Sequence, residues 1–176
     1  SHGMLCCFSD VMNYIHWIHA SPTFTNFELD PERFNKYTFY RAILENTALL
    51  VRGHIELVKE ATGNEPDELI FAGGASKCSL WAQIVADVTG KNVRIPKVKE
   101  ATALGAAVLA GYGVGIYPSI AEGAKRVVKW DKTFSPNPDN KAVYDQLYVQ
   151  WKDVYKSQLE LAEEGKVKSM WRAPGL

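Results

Sequence analysis

The 176-residue chain has no excess of either charge, since 20 lysines and arginines are matched by 20 aspartates and glutamates. A broad electropositive surface is therefore not expected, which argues against a nucleic-acid partner and leaves small anionic ligands open. No apolar run approaches the roughly 20 residues that a membrane-spanning helix needs. The N-terminus also lacks the basic start and apolar stretch of a secretory signal. Cysteine is scarce: Cys6, Cys7 and Cys78 are odd in number, and the adjacent pair has neither metal-ligand nor redox spacing. Reduced thiols in a cytoplasmic protein, with no membrane partner, are the expectation. Internal repeats and low-complexity segments are missing too. With 47% hydrophobic and 23% charged residues the composition excludes disorder and suits one globular unit with a real core. Ser1-His2-Gly3 before Met4 reads as a tag remnant, so the domain is taken to span residues 4–176.

What the chain does contain is a glycine hairpin between an apolar run and an amphipathic one, in Leu69-Ile70-Phe71-Ala72-Gly73-Gly74-Ala75-Ser76. The run Glu68 to Phe71 is short and apolar, as a strand buried on both faces would be. A helical period follows at once in Leu80, Trp81, Ile84, Val85 and Val88. Two glycines let a ligand approach the backbone without an intervening side chain, and the unpaired amides of the next helix supply donors for an anion. Ser76 or Ser79 is placed to cap that helix. No Gly-Lys-Ser or Gly-Lys-Thr follows at P-loop spacing, and the turn is not Gly-x-Gly-x-x-Gly. On spacing alone, a phosphate cradle and an ordinary tight turn with a helix cap are both open.

Around this turn the chain reads mainly as helices. The aromatic-rich segment Met4 to Phe27 holds His16-x-x-His19, two histidines on one face if the stretch is helical. A metal would need a third ligand, for which Asp10 is the nearest choice, and packed or surface histidines are the simpler reading. Asp30-Pro31 marks the start of a short helix. A largely buried helix is expected from Thr38 to Thr62, ending at Gly63. The helix from Ser76 to Thr89 should stop at Gly90, and Asn92 to Pro96 reads as a second strand.

Glu100 to Gly111 is a helix of small residues in which Gly105, Ala106 and Ala107 would admit another backbone or border a ligand cleft. Ser119 to Arg126 is a short helix, and Val127 to Thr133 an extended edge. Ser135-Pro136-Asn137-Pro138-Asp139 punctuates the chain before a final helix with the stripe Val143, Leu147, Trp151, Val154 and Leu161. An irregular tail is anchored by Trp171. The order implies an α/β layer with parallel strands. Two strands make too narrow a sheet, so the chain is expected to be part of something larger or to pair its edge with another copy as a homo-oligomer.

Four segments in order carry a resemblance: Phe71-Ala72-Gly73-Gly74-Ala75-Ser76; Leu80-Trp81-x-Gln83-Ile84-x-Ala86-Asp87-x-x-Gly90; Ile95-Pro96; and Glu100-Ala101-Thr102-Ala103-Leu104-Gly105-Ala106-Ala107. Together with Tyr40-Arg41-Ala42-Ile43-Leu44-Glu45-Asn46 upstream, they resemble the C-terminal domain of the FGGY carbohydrate kinases. The flanks His19 to Phe24, Asn26-Phe27, Leu29 to Arg33 and Trp171 to Leu176 narrow the resemblance to members that phosphorylate a linear five-carbon, sugar-like signal molecule.

The resemblance implies an α/β fold, a partial actin-like (ribonuclease H-like) ATPase domain with parallel strands flanked by several helices. It implies ATP with Mg²⁺ held mainly through the nucleotide. Gly73, Gly74 and Ala75 would line the phosphates and ribose, and Ser76 and Cys78 would border the adenosine. Cys78 stands where relatives often carry a polar or small residue, and Lys77 reads as solvent-facing. Phosphoryl transfer needs a carboxylate to take the proton of the attacking hydroxyl. In this family it lies in a glycine-rich stretch upstream of everything here, and neither Asp10 nor Asp87 matches it. The missing N-terminal kinase domain would be the partner that reads the substrate, and the chain alone would be inactive. A pentulose (xylulose-type) kinase fragment and a non-catalytic nucleotide-binding or interaction module are the alternatives.

Overall fold

In the computed structural model, which describes residues 1–8 and 18–172, the longest element is helix α1 (Lys36–Thr62). It starts where the Asn35 side chain accepts a hydrogen bond from the Tyr37 amide at 3.0 Å. It ends at Gly63, whose φ of 71° lets its N–H reach back to the Lys59 carbonyl. The short helix expected at Asp30 is instead a turn. The Asp30 carboxylate accepts from the amides of Glu32 and Arg33, and its carbonyl accepts from Phe34, which closes the chain before a helix can propagate.

Where the N-terminal segment is described it is extended, not helical. Strand β1 (Leu5–Cys7) pairs antiparallel with β3 (Thr23–Thr25), and β2 (Ile18–His19) pairs with β7 (Trp171–Arg172) near the C-terminus. His19 therefore sits in a strand, with its ring 5.2 Å from that of Trp171. His16 and Asp10 lie outside the described residues. The tail is thus regular at Trp171, and that side chain stays 44% exposed while its backbone does the anchoring.

The central sheet has the order β4 (Glu68–Ile70), β5 (Asn92–Pro96), β6 (Trp130–Phe134). β4 and β5 are parallel, linked through α2 (Ser79–Thr89), which stops at Gly90 with φ of 68°. The two expected strands are thus parallel as read, and β6, read as an extended edge, runs antiparallel to β5, so the sheet is mixed. Two further helices, α3 (Ala101–Gly113) and α4 (Ile120–Val127), come between β5 and β6, and α4 is capped by the Ser119 hydroxyl. Val127 closes α4, so the edge strand begins only at Trp130.

On one face of the sheet Val93 and Ile95, with the partly buried Leu69, join a core that includes Leu44 and Leu49 of α1 and Ile84 of α2. Helix α5 (Lys141–Glu163) completes it through Tyr144, Leu147, Tyr148, Trp151 and Tyr155. Val143, expected in that stripe, is exposed because Tyr144 takes its place. A tyrosine buries its ring while its hydroxyl finds a partner, here Arg41 and Glu45 for Tyr144 and Glu56 for Tyr148. Trp151 is fully buried and stacks between Tyr148 and Tyr155, and its indole N–H donates to Asn46 at 2.9 Å.

The opposite face is open. Ile70 is 64% exposed, so β4 is not buried on both faces as expected from its apolar run. Only Val108 and Gly111 of α3 are buried.

Candidate functional site

The glycine turn stands at the carboxyl ends of the two parallel strands, where open α/β sheets hold their ligands. The ladder runs one residue past β4, with the Phe71 amide on the Arg94 carbonyl at 2.9 Å. The chain then leaves the sheet at Gly73, whose φ of 80° and ψ of −170° belong to glycine alone. Its N–H donates to the Lys99 carbonyl at 2.8 Å, which ties the turn to the loop just ahead of α3. Phe71 packs edge-on against Trp81 of α2, and the Trp81 indole donates to Thr47 of α1, so the end of β4 is held from behind.

Beyond Gly73 the helix does not start in one piece. Gly74–Lys77 form a 3₁₀ turn, Cys78 is extended, and α2 follows from Ser79. The break has a local cause: the Ser76 hydroxyl and amide both donate to the Gly73 carbonyl, at 2.7 and 3.2 Å, and close the turn on itself. Neither serine caps α2 as expected. Ser76 is committed to Gly73, Ser79 is already helical, and Cys78 holds the cap position without a side-chain hydrogen bond.

The predicted residues are thus brought together in one turn but present different faces. Gly74 and Lys77 are exposed, Gly73, Ala75 and Cys78 are half-buried, and Ser76 is buried. A Cβ on Gly74 would meet no atom within 4 Å, and its φ is not in the left-handed region. Nothing within the described fold requires glycine there, whereas Gly73 is required by its backbone angles. Two helical starts open at this point without side-chain caps, the 3₁₀ turn and α3. Their first amides lack intrahelical partners and direct positive potential outward, apart from that of Ala101, which donates to the Lys99 carbonyl at 2.9 Å.

Lys99 is a neighbour of the turn that spacing did not single out. Its Nζ donates to the Pro96 carbonyl at 2.7 Å and to Asp131 at 2.8 Å, fixing the loop that receives Gly73. The Lys99 hydrogen bond holds the Asp131 carboxyl below the usual range. No residue pattern marks such a lysine, because its partner is on β6.

Asp87, expected as a cap or surface residue, is buried and accepts three hydrogen bonds. These come from Gln83, from the Asn137 amide and from the Asn140 side chain, at 2.7, 2.8 and 2.8 Å. It secures the loop before α5 and sits about 12 Å along the helix from Ser79 at 1.5 Å per residue. A cavity of about 430 Å³ adjoins it, lined by Arg52, Glu65, Gly90 and Asp145 among others. The cavity lies at the far end of α2 from the turn. Its charges satisfy one another, Glu65 with Lys59 and Lys91, Asp145 with Arg52 and Lys141.

Cys6 and Cys7 are buried, which pushes both thiols up to about 12. Among the described residues no group of three histidine, cysteine or acidic side chains is placed to hold a metal ion. No helix among them is long and apolar enough to cross a membrane.

Residues 7–114 match the C-terminal domain of the FGGY family of carbohydrate kinases. All 176 residues align with autoinducer-2 kinases, at 48% identity for that of Salmonella paratyphi A and 44% for that of Yersinia enterocolitica. The chain spans about a third of the length of these curated relatives, 33% in each case. Among solved structures, xylulose kinase from Rhodospirillum rubrum superposes with a TM-score of 0.72 at 25% identity, covering 91% of this chain and 31% of that one. Plasmodium falciparum glycerol kinase with ADP gives 0.67 at 19% identity, covering 88% and 31%. The latter is a likeness of fold.

Proposed function

The chain belongs to the FGGY family of carbohydrate kinases, and from that premise we propose that it is the nucleotide-binding C-terminal part of a kinase. The whole protein transfers the γ-phosphate of ATP to a hydroxyl of autoinducer-2 in its linear five-carbon form. The observation that carries the reading is Gly74, a glycine that neither backbone angle nor packing explains, exposed where two uncapped helical starts meet. A phosphate laid on the backbone accounts for it. Gly73, Gly74 and Ala75 take the phosphates and ribose, and Cys78 borders the adenosine. Ser76 serves the same site by holding the turn through Gly73. Mg²⁺ is carried on the nucleotide.

The base and the groups that read the substrate belong to the remainder of the kinase, which acts in the cytoplasm. Identities of 44–48% to autoinducer-2 kinases against 25% to a xylulose kinase favour the first substrate over a pentulose.

In the whole kinase, Gly74→Val is expected to weaken ATP binding by roughly 100-fold, about 3 kcal/mol, while the fold is retained. Calorimetric titration with ATP and a thermal melt measure the two effects, and unchanged affinity removes the proposal. The chain by itself is expected to transfer no phosphate to autoinducer-2, xylulose or glycerol. Turnover in that assay would put the base within these residues.

A further inference from the structure

The glycine turn is held on two sides, and the two sides are built differently. Toward α2 the hold is a packed one. Phe71 and Trp81 lie against the main core, and the Trp81 indole donates to the Thr47 hydroxyl of α1 at 2.7 Å. Cys78 leads straight into that helix. Toward α3 the hold is of another kind, because α3 buries only Val108 and Gly111, both in its second half. Its first turn has no buried residue to anchor it and no side-chain cap.

A single residue supplies the missing hold. The Lys99 carbonyl accepts from the amides of Gly73 and Ala101, at 2.8 and 2.9 Å, so one oxygen joins the exit of β4 to the first residue of α3. The side chain of the same residue folds back. Its Nζ donates at 2.7 Å to the carbonyl of Pro96, which ends β5, and at 2.8 Å to Asp131 of β6. The strand ladder onto β6 has run out by this point. Its last pair is Pro96 with Trp130, behind a register shift, and one further bond takes the Lys97 amide to the Lys129 carbonyl at 2.8 Å. Beyond that bond the ammonium of Lys99 ties the loop to β6.

Ordering a four-carbon lysine stem costs conformational entropy. Lys97 and Lys132 nearby are left exposed, whereas the side chain of Lys99 is only 20% exposed. A partly exposed lysine and carboxylate add little to stability. What sets this pair apart is its place, with the ammonium at one end of a residue whose carbonyl receives the glycine turn.

We infer that Lys99 is a positioning residue for the phosphates of the nucleotide. Clamped between Pro96 and Asp131, its ammonium sets the spacing between the glycine turn and the first turn of α3. The adenosine end, carried by Cys78 and α2, is held independently through Trp81 and Thr47. Groups that receive a reacting substrate tolerate displacements of well under an ångström, so a slack loop at Lys99 is felt at the phosphates first. The inference rests on the reading of the turn as the nucleotide site and names a residue that tunes it.

The test uses the whole kinase and calorimetric titration with two ligands, ATP and adenosine. Lys99→Met keeps the length of the stem and removes the ammonium, and it is expected to weaken ATP by about 10-fold and adenosine by less than about 2-fold. Lys99→Arg, which restores the cation, is expected to recover most of the ATP affinity. Asp131→Asn is expected to weaken ATP by about 3-fold and to add nothing to Lys99→Met in the double variant, because the carboxylate acts through the lysine. Thermal melts should stay within about 3 °C of the unsubstituted protein. Unchanged ATP affinity in Lys99→Met overturns the inference, and so does an equal loss of ATP and adenosine, which would make the lysine a support of the fold alone. Gly74→Val measured alongside separates the two readings. If it weakens ATP and Lys99→Met does not, the positioning role falls by itself; if neither weakens ATP, the nucleotide site falls with it. Asp131→Asn carries the same comparison of ATP with adenosine should Lys99→Met fail to fold.

Discussion

On one face of the central sheet Val93 and Ile95 are 0 and 2% exposed beneath α1, α2 and α5, while on the other Ile70 and Leu109 are 64 and 55% exposed. The residue types are the same. On the closed face the large side chains pack against one another within these residues, and even the indole of Trp151 finds an acceptor in Asn46. On the open face α3 is the more apolar helix, yet it buries only two of its residues. Hydrophobic composition therefore marks what must be covered, not where the cover comes from. The glycine turn lies at the junction, held from behind by Trp81 and Phe71 and open in front.

The comparison is broken most severely on the closed side. Trp151→Ala is expected to lower stability by about 3–5 kcal/mol, through the lost ring and the lost hydrogen bond to Asn46. Urea unfolding followed by far-UV circular dichroism measures it, and a loss below about 1 kcal/mol would show that the closed face is not the core.

A sharper contrast comes from one substitution in two settings. Leu109→Ser should cost about 1.5–3 kcal/mol in a whole kinase whose remaining chain covers this face. In the isolated 176-residue chain it should change stability by less than about 0.5 kcal/mol. There it should reduce self-association seen by sedimentation, because it removes apolar surface from the open face. Equal costs in both settings would contradict the difference between the faces.

The smallest effect is a pH dependence confined to the closed side. Burial raises Cys6 and Cys7 to about 12, and burial also raises Tyr144 to about 12. The folded state holds these protons more tightly than the unfolded chain does. Their contribution is complete below the ordinary thiol and phenol ranges and is lost as pH rises toward about 12. Urea midpoints near pH 8 and near pH 11 should show the decline. A Cys6→Ala, Cys7→Ala double variant should flatten part of it, and an unaltered slope would assign it elsewhere.

Much of the fold was legible in local signals. Gly63 and Gly90 end α1 and α2 as read, Ser119 caps α4, and β5 runs from Asn92 to Pro96. Those features depend on residues within a turn of one another. The glycine turn was located the same way, but its internal break at Cys78 was not, because the Ser76 hydroxyl chooses the Gly73 carbonyl over a cap. Asp87 was misplaced for a longer-range reason. Its partners Asn137 and Asn140 lie 50 and 53 residues away, and a single carboxylate on an apolar helix does not announce them. The antiparallel direction of β6, read only as an extended edge, and the pairing of β2 with β7 escaped notice because strand partners across the chain leave no periodic trace.

Sequence alone determined where helices stop, where glycine bends the chain, and which family the ordered motifs resemble, since each rests on short-range sterics or on residue identity. Tertiary structure decided which apolar face is closed, that Gly74 is left unexplained by its own fold, and that Lys99 holds the turn. Those outcomes depend on distances between segments, and packing sets such distances only once the whole chain has come together.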